Sequence, residues 1–491
     1  MKELKERYLY ILAAAVLYIA ALVIPNSKIG LGVSLVLAVL AFIKPKDGLL
    51  SLLIYFPMRS FLTEINPGLK LAGDIIIIAV FLRVLWNHKK NIKSLFHFTH
   101  FEWGFFAFML IGTVAAFLTG VQVAAIVFQI RAFFITYLVY YSVKRLGITK
   151  EDVARFLWVT FTVAMILTVQ GLVEKLSIRS MFMPETWVNR QLSPNNATRI
   201  YGLINNPNVL AVYLSIALMT SLYLYQNVSK RGTKIFLMIS MVLMTGVWTL
   251  TYSRGTWIGF AIGLVIYILL TRNWKSMSRI ALILIASVIL INIPVAKASN
   301  WIKNTDFGQI ERNGPPEEDP NSGGGSTEGK RLKDTFEKST LELSKQTGRL
   351  FIVFKGFEIF KDHPVIGTGF ATYGDSATKS YSSPIYSDYG IDYDIYSDNQ
   401  YIQVIVQTGA LGVIAFAVFL LGMLFTLWKM RKSSLFAIPL IGLLIGIYWC
   451  GFIYNIWEDK TFTLYFFMML GFILNEKEYK ERNRNESITS H

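Results

Sequence analysis

The sequence has one cysteine, five histidines and few charges: only 16% of its 491 residues are Asp, Glu, Lys or Arg. With Cys450 alone, an intrachain disulfide and a thiolate metal site are both excluded. His88, His97 and His100 share one connection, His363 lies far from them, and no pair has metal-ligand spacing. There is no P-loop, no G-x-S-x-G and no H-E-x-x-H. No metal or other cofactor is therefore expected. Soluble chains carry about 25% charged residues. The shortage here, with 53% hydrophobic residues and a mean hydropathy of +0.45, excludes a water-soluble enzyme, a disordered chain and a collagen-like fibre.

What the chain has in abundance is apolar runs. Fourteen segments are candidate membrane spans, roughly 8–24, 29–43, 48–63, 71–86, 101–120, 124–143, 154–174, 207–225, 234–251, 255–271, 279–297, 400–428, 435–454 and 461–475. The second and third are short enough to form one broken hairpin. The first is followed at once by another, with no A-x-A cleavage site, and reads as a retained helix. The expected fold is an all-α polytopic integral membrane protein with about 14 transmembrane helices, in the range 12–14.

Lys and Arg number 48 against 32 Asp and Glu, a net charge of +16. In a soluble protein that excess would suggest nucleic acid. Here it suggests loops facing anionic lipid, with no nucleic acid partner. Alternate connections carry the basic residues: Lys44/Lys46, Lys89/Lys90/Lys93, Lys144/Arg145/Lys150, Lys230/Arg231/Lys234, Arg272/Lys275/Arg279 and Lys429/Arg431/Lys432. The positive-inside rule then places both termini in the cytoplasm.

Two long connections are expected outside, about 175–206 and 298–399. The chain divides into spans over 1–297, an extracytoplasmic loop over 298–399, three more spans over 400–475 and a cytoplasmic tail over 476–491. Within the loop, 314–329 (GPPEEDPNSGGGSTEG) reads as a flexible linker. The stretch 348–362 reads as an amphipathic helix on the membrane surface. Its apolar side holds Leu350, Phe351, Phe354, Phe357 and Ile359, and Lys355, Glu358 and Lys361 lie towards the other.

The residues that could carry chemistry lie near the expected outer face. Arg131, inside the sixth span, is costly unless it faces a cavity or pairs with a carboxylate such as Asp74 or Glu174. Arg254 sits in the turn TLTYSRGTW with Thr251 and Ser253, donors suited to a phosphate at a helix N-terminus. The alternative is an ordinary interfacial Arg. Arg199 opens a segment in which Asn206-Pro207-Asn208 suits a helix cap. Asp398 and Asn399 stand before the twelfth span, where a carboxylate serves as a base or simply as an N-cap. The segment 373–401, dense in Tyr, Ser, Asp and Gly, suits sugar rings or a solvated loop.

Taken in order, these segments resemble the O-antigen ligase and O-antigen polymerase superfamily. The resemblance rests on Arg199-x-x-Gly202 with Asn206-Pro207-Asn208, then Thr251-Tyr252-Ser253-Arg254-Gly255. It continues with a long loop carrying Gly348-Arg349-Leu350 and His363-Pro364-Val365-Ile366-Gly367-Thr368-Gly369, then Asp398-Asn399 with Gly409 and Gly412. It covers about residues 195–415. It implies a metal-independent, inverting membrane glycosyltransferase that takes a glycan from undecaprenyl diphosphate on the outer side of the cytoplasmic membrane. Polymerases move the glycan to another lipid-linked repeat unit, and ligases to a lipid or protein acceptor. By position, Arg199, Arg254 and Arg349 would hold diphosphate or sugar and Asp398 would activate the acceptor hydroxyl, with Arg254 taking part in catalysis. Arg131, Ser253, Asn399 and His363 complete the expected substrate-binding set. A flippase and a chain-length regulator are the partners such a polymerase would have. Ligases commonly have His where Asp398 stands, which argues against a lipopolysaccharide ligase. The size and the Gly/Ser-rich loop are similar to those of teichuronic acid polymerases of Gram-positive bacilli.

Two readings of other classes stand beside this one. A transporter or flippase for lipid-linked sugars also has many spans and intramembrane Arg, but does not need a carboxylate at the outer mouth. A non-catalytic member of an export complex would need only the Tyr-rich loop.

Overall fold

The computed structural model describes residues 2–192, 194–305 and 348–489. The linker expected at 314–329 lies outside them. Each of the fourteen apolar segments coincides with a helix. These are α1 (Lys2–Val23), α2 (Ser27–Ile43), α3 (Pro45–Ile65), α4 (Ala72–Asn87), α5 (His100–Leu118), α6 (Val123–Arg145) and α7 (Lys150–Leu176). After them come α8 (Pro207–Asn227), α9 (Arg231–Leu250), α10 (Arg254–Thr271) and α11 (Trp274–Lys303). Then α12 (Arg349–Asp362) lies in the long connection, followed by α13 (Gln400–Met430), α14 (Ala437–Cys450) and α15 (Lys460–Thr489). Nine helices among the described residues are long and apolar enough to cross a membrane, and four shorter apolar ones accompany them. No strand occurs among the described residues. The chain is an all-α polytopic membrane protein.

Local signals start the helices. Thr99 and Glu102 form a capping box at α5, and Thr149 and Asp152 one at α7. Asn206 caps α8 ahead of Pro207, its Oδ1 accepting the Asn208 and Val209 amides at 2.9 and 3.3 Å. Two boundaries differ from expectation. Helix α11 continues to Lys303, past 297, through a π turn at 288–292. That turn precedes Pro294, whose missing N–H breaks the regular ladder. Helix α15 runs through most of the expected tail, to Thr489.

Small residues let the helices approach closely. Gly255, Gly259 and Gly263 on α10 recur every fourth residue, as do Gly442, Gly446 and Cys450 on α14. A Cβ on Gly259 or Gly263 would lie 2.7 or 2.6 Å from a carbonyl oxygen of α14. Without a hydrophobic drive between helices in lipid, such backbone contact is what van der Waals packing needs. Helix α12 packs on α13 through Ile352, Gly356 and Ile359, with Gly356 against Ile402. Its buried stripe is thus 352/356/359, while Phe354 and Phe357, expected on the apolar side, are exposed.

Candidate functional site

Around Arg199 the chain is tied to the turn before α10. Arg199 Nε donates to the Thr251 carbonyl at 2.8 Å and Nη2 to Asn208 Oδ1 at 2.7 Å. Ser253 Oγ donates to the same Asn208 oxygen at 2.8 Å. Asn208 therefore couples the Arg199 segment to the Ser253-Arg254 turn. Gly202, at φ +61°, turns the chain so that its amide and that of Tyr201 donate to the buried Glu174 carboxylate. Arg254 is the first residue of α10 and is exposed. Gly255 packs against the tip of the Ile453 side chain, and Trp449 Nε1 donates to its carbonyl at 3.1 Å.

Asp398 is not the cap of α13. Asn399 is, with its Oδ1 accepting the Tyr401 and Ile402 amides at 3.1 and 3.2 Å. Asp398 sits in the left-handed region at φ +45°, unfavourable for a residue with a side chain. Two anchors on the preceding residue hold it there. The Ser397 amide donates to the Gly374 carbonyl at 2.9 Å and its Oγ to Asn455 Oδ1 at 2.9 Å. The Asp398 carboxylate faces the Arg349 guanidinium at 3.7 Å, with side chains 41% and 57% exposed. Burial raises the Asp398 carboxyl above the usual carboxylate range, while Arg349, Lys379 and Arg199 pull it down. Three cations from three separate segments thus act on one carboxylate. Such a group is a candidate base.

The His363–Gly369 segment does different work. Helix α13 breaks at Gly409, whose φ of 58° and ψ of −164° suit glycine alone. The segment pairs with that break. Ala410 and Leu411 donate to the Pro364 and Val365 carbonyls at 2.8 and 3.0 Å, and Thr368 and Gly369 donate to Val406 and Gln407 at 3.0 and 2.8 Å. A break within a membrane bundle needs its freed backbone groups satisfied in this way. Phe370 N then donates to the Gly112 carbonyl of α5 at 3.0 Å. His363 ends α12 opposite Arg349, about 20 Å away by helical rise. The structure does not bring His363 to Asp398, because the motif is used at the break and not at the carboxylate.

Arg131 has a structural partner: its Nε donates to Asp74. The carboxylate partner expected for it is thus present, and its Nη2 is left without a hydrogen-bond partner among the described residues. The Tyr-rich segment is folded. Tyr373 and Tyr386 are buried beneath α12 and packed edge to face, with the Tyr373 hydroxyl donating to the Ile352 carbonyl. Tyr381 and Tyr393 remain exposed.

Several polar residues behind Asp398 went unread in the sequence. Gln400, Gln403 and Gln407 form a buried ladder on α13. Gln407 Nε2 donates to Asp375 at 2.5 Å, and Gln403 donates to Glu458. Glu458 also accepts Gln129 of α6 at 2.7 Å and Ser376 Oγ at 2.7 Å. Burial, reinforced by the Asp375 charge, pushes the Glu458 carboxyl up to about 7. Spacing of three and four on an otherwise apolar helix is the signal that could have found the Gln ladder. Lys379 carried no pattern at all. No group of three or more potential metal ligands occurs among the described residues.

No curated protein matches the chain. Residues 239–417, from within α9 to the first half of α13, match the family model Wzy_C, O-antigen ligase. That stretch holds Ser253, Arg254, Arg349, His363, Asp398 and Asn399, and leaves Arg131 and Arg199 outside. It fits glycan transfer of the O-antigen ligase and polymerase type, carried out by a multi-pass membrane protein on lipid-linked glycans.

Proposed function

We propose that the protein polymerises undecaprenyl-diphosphate-linked oligosaccharide repeat units into a cell-wall polysaccharide of teichuronic acid type. It does so on the outer face of the cytoplasmic membrane, with both termini inside. The observation that carries the reading is the Arg349–Asp398 pair. A residue freed from capping, held at positive φ and set beside the Arg349 guanidinium suits a reacting group better than a scaffold.

The step balances with no redox partner. The acceptor sugar hydroxyl attacks the anomeric carbon of the donor and its proton passes to the Asp398 carboxylate. The new C–O bond forms as the old one to the diphosphate breaks, and undecaprenyl diphosphate leaves with the electron pair. Attack opposite the leaving group inverts the anomeric centre. Arg199, Arg254 and Arg349 neutralise the leaving diphosphate with bidentate guanidinium contacts, the charge compensation that other transferases draw from a divalent metal. Ser253 adds a hydroxyl donor, and the exposed Tyr381 and Tyr393 offer faces for sugar rings.

The test is chain growth in vitro, with purified protein and lipid-linked repeat unit, in chelator and without nucleotide sugar. A ladder of products is expected. An absolute Mg²⁺ requirement would count against the arginine roles. The description of the matched model favours a second reading, ligation to another acceptor. A single transfer product in place of a ladder would decide for it.

A further inference from the structure

Asp74, in the first turn of α4, takes two cations at once. Arg131 Nε of α6 donates to one carboxylate oxygen, and Lys460 Nζ, at the start of α15, to the other at 3.0 Å. Arg59 of α3 lies near enough for its charge to act on Lys460 and on the Tyr55 hydroxyl. Two cations, from α6 and from the start of α15, therefore share one carboxylate of α4, with the Arg59 charge acting on Lys460 beside them. Asp459, beside Lys460, has its own partners, accepting the Tyr454 hydroxyl at 2.5 Å and the Phe462 amide at 2.7 Å. Arg131 Nη2 is buried with no hydrogen-bond partner among the described residues. A buried donor without an acceptor is costly, more so on a charged group. Surplus positive charge in a partly buried cluster is costly as well. One bound anion relieves both.

This cluster is a neighbour of the Asp398 site. Gln129, two residues before Arg131, donates to Glu458, and Lys460 follows Glu458 by two. Phe128 packs edge to face against Tyr381, which closes the short turn carrying Lys379. The two cation clusters are thus joined through Glu458 and the 376–381 segment.

We infer that Arg59, Arg131 and Lys460 form a second diphosphate site, which holds the headgroup of the acceptor lipid while Arg199, Arg254 and Arg349 hold that of the donor. The inference rests on the polymerase reading. A polymerase joins two lipid-linked glycans, each carrying a diphosphate. The donor diphosphate leaves and must be stabilised as charge develops on it. The acceptor diphosphate stays bonded to its sugar and needs only to be positioned. A group that merely positions an anion suits the ion-paired set around Asp74. A ligase whose acceptor carries no diphosphate would have no use for it.

The test uses the full chain in nanodiscs with undecaprenyl diphosphate as the probe, counted by native mass spectrometry. Two carriers per chain are expected for the wild type, and one for Arg131→Gln, Arg59→Gln or Arg254→Gln. Arg131→Gln strands an Asp74 oxygen, so Arg59→Gln, which keeps both Asp74 pairs, is the deciding variant. In chain growth, Arg59→Gln should raise the acceptor KM at least about tenfold, the size of one lost charge-assisted hydrogen bond, and leave the donor KM unchanged. A single carrier on a wild type that polymerises normally overturns the second site and leaves the polymerase reading standing. So does an Arg59→Gln chain that still binds two. Displacement of the second carrier by phosphatidylglycerol at equal concentration makes the cluster a general anionic-headgroup site and overturns the acceptor role. Absence of carrier binding at both clusters overturns the polymerase reading itself.

Discussion

Arg349 and Asp398, separated by about half of the long connection, meet at 3.7 Å where α12 begins and α13 is about to begin. The pair places a carboxylate and a guanidinium side by side with both partly open to solvent. An exposed pair of this kind adds little to stability, so its value lies in what it presents.

Asp398→Asn tests that value directly. Asn399 keeps the cap, so expression and insertion should be normal. Chain elongation should fall roughly 10²-fold or more, the usual scale for loss of a general base. Asn399→Ala should show the reverse pattern, with a loss of about 1 kcal/mol in thermal stability and a smaller loss of rate. Elongation at the wild-type rate in Asp398→Asn would move the search for the base to Asp388, Asp392 and Asp394.

The pH profile carries a sign. Burial raises the Asp398 carboxyl, and Arg349 is the cation that lowers it most. A base works deprotonated, so activity should fall as pH drops through that raised value. Arg349→Gln removes a stabiliser of the charged form, so the acidic limb should shift to higher pH. A limb that stays in place in Arg349→Gln would show that Asp398 is not the titrating group.

Arg254→Lys keeps the charge at the start of α10 and loses the fork. Its rate of elongation should remain badly impaired, close to that of Arg254→Gln. Full activity with Lys would show that the site needs positive charge alone.

Gly409→Ala should lower the melting temperature and reduce folded yield. The backbone there is open only to glycine, at a cost of roughly 1–3 kcal/mol for other residues. A Cβ would also lie 2.5 Å from the Val365 carbonyl carbon. Wild-type thermal stability in this variant would show that the break is not needed.

Orientation is tested by labelling. Ser380→Cys should react with an impermeant thiol reagent in whole cells and Lys230→Cys should not. The native thiol at Cys450 is buried and should stay silent. Labelling at 230 alone would invert the topology and remove the outer-face chemistry.

The order and position of the helices were legible in the sequence, since apolar length and caps such as Asn206 or Thr149 are local properties of the chain. Arg254, Ser253 and Arg199 were legible as donors for the same reason. Their joint anchoring through Asn208 was not, because it depends on how α8 and the turn before α10 pack. Only the tertiary structure decided that Arg131 pairs with Asp74, that His363 belongs to a segment bracing the Gly409 break, and that Asn399 and not Asp398 caps α13. Hydropathy records whether a segment leaves water. Which carboxylate meets which cation depends on helix rotation and on backbone breaks, and those are set by partners hundreds of residues away, as Lys460 is from Asp74.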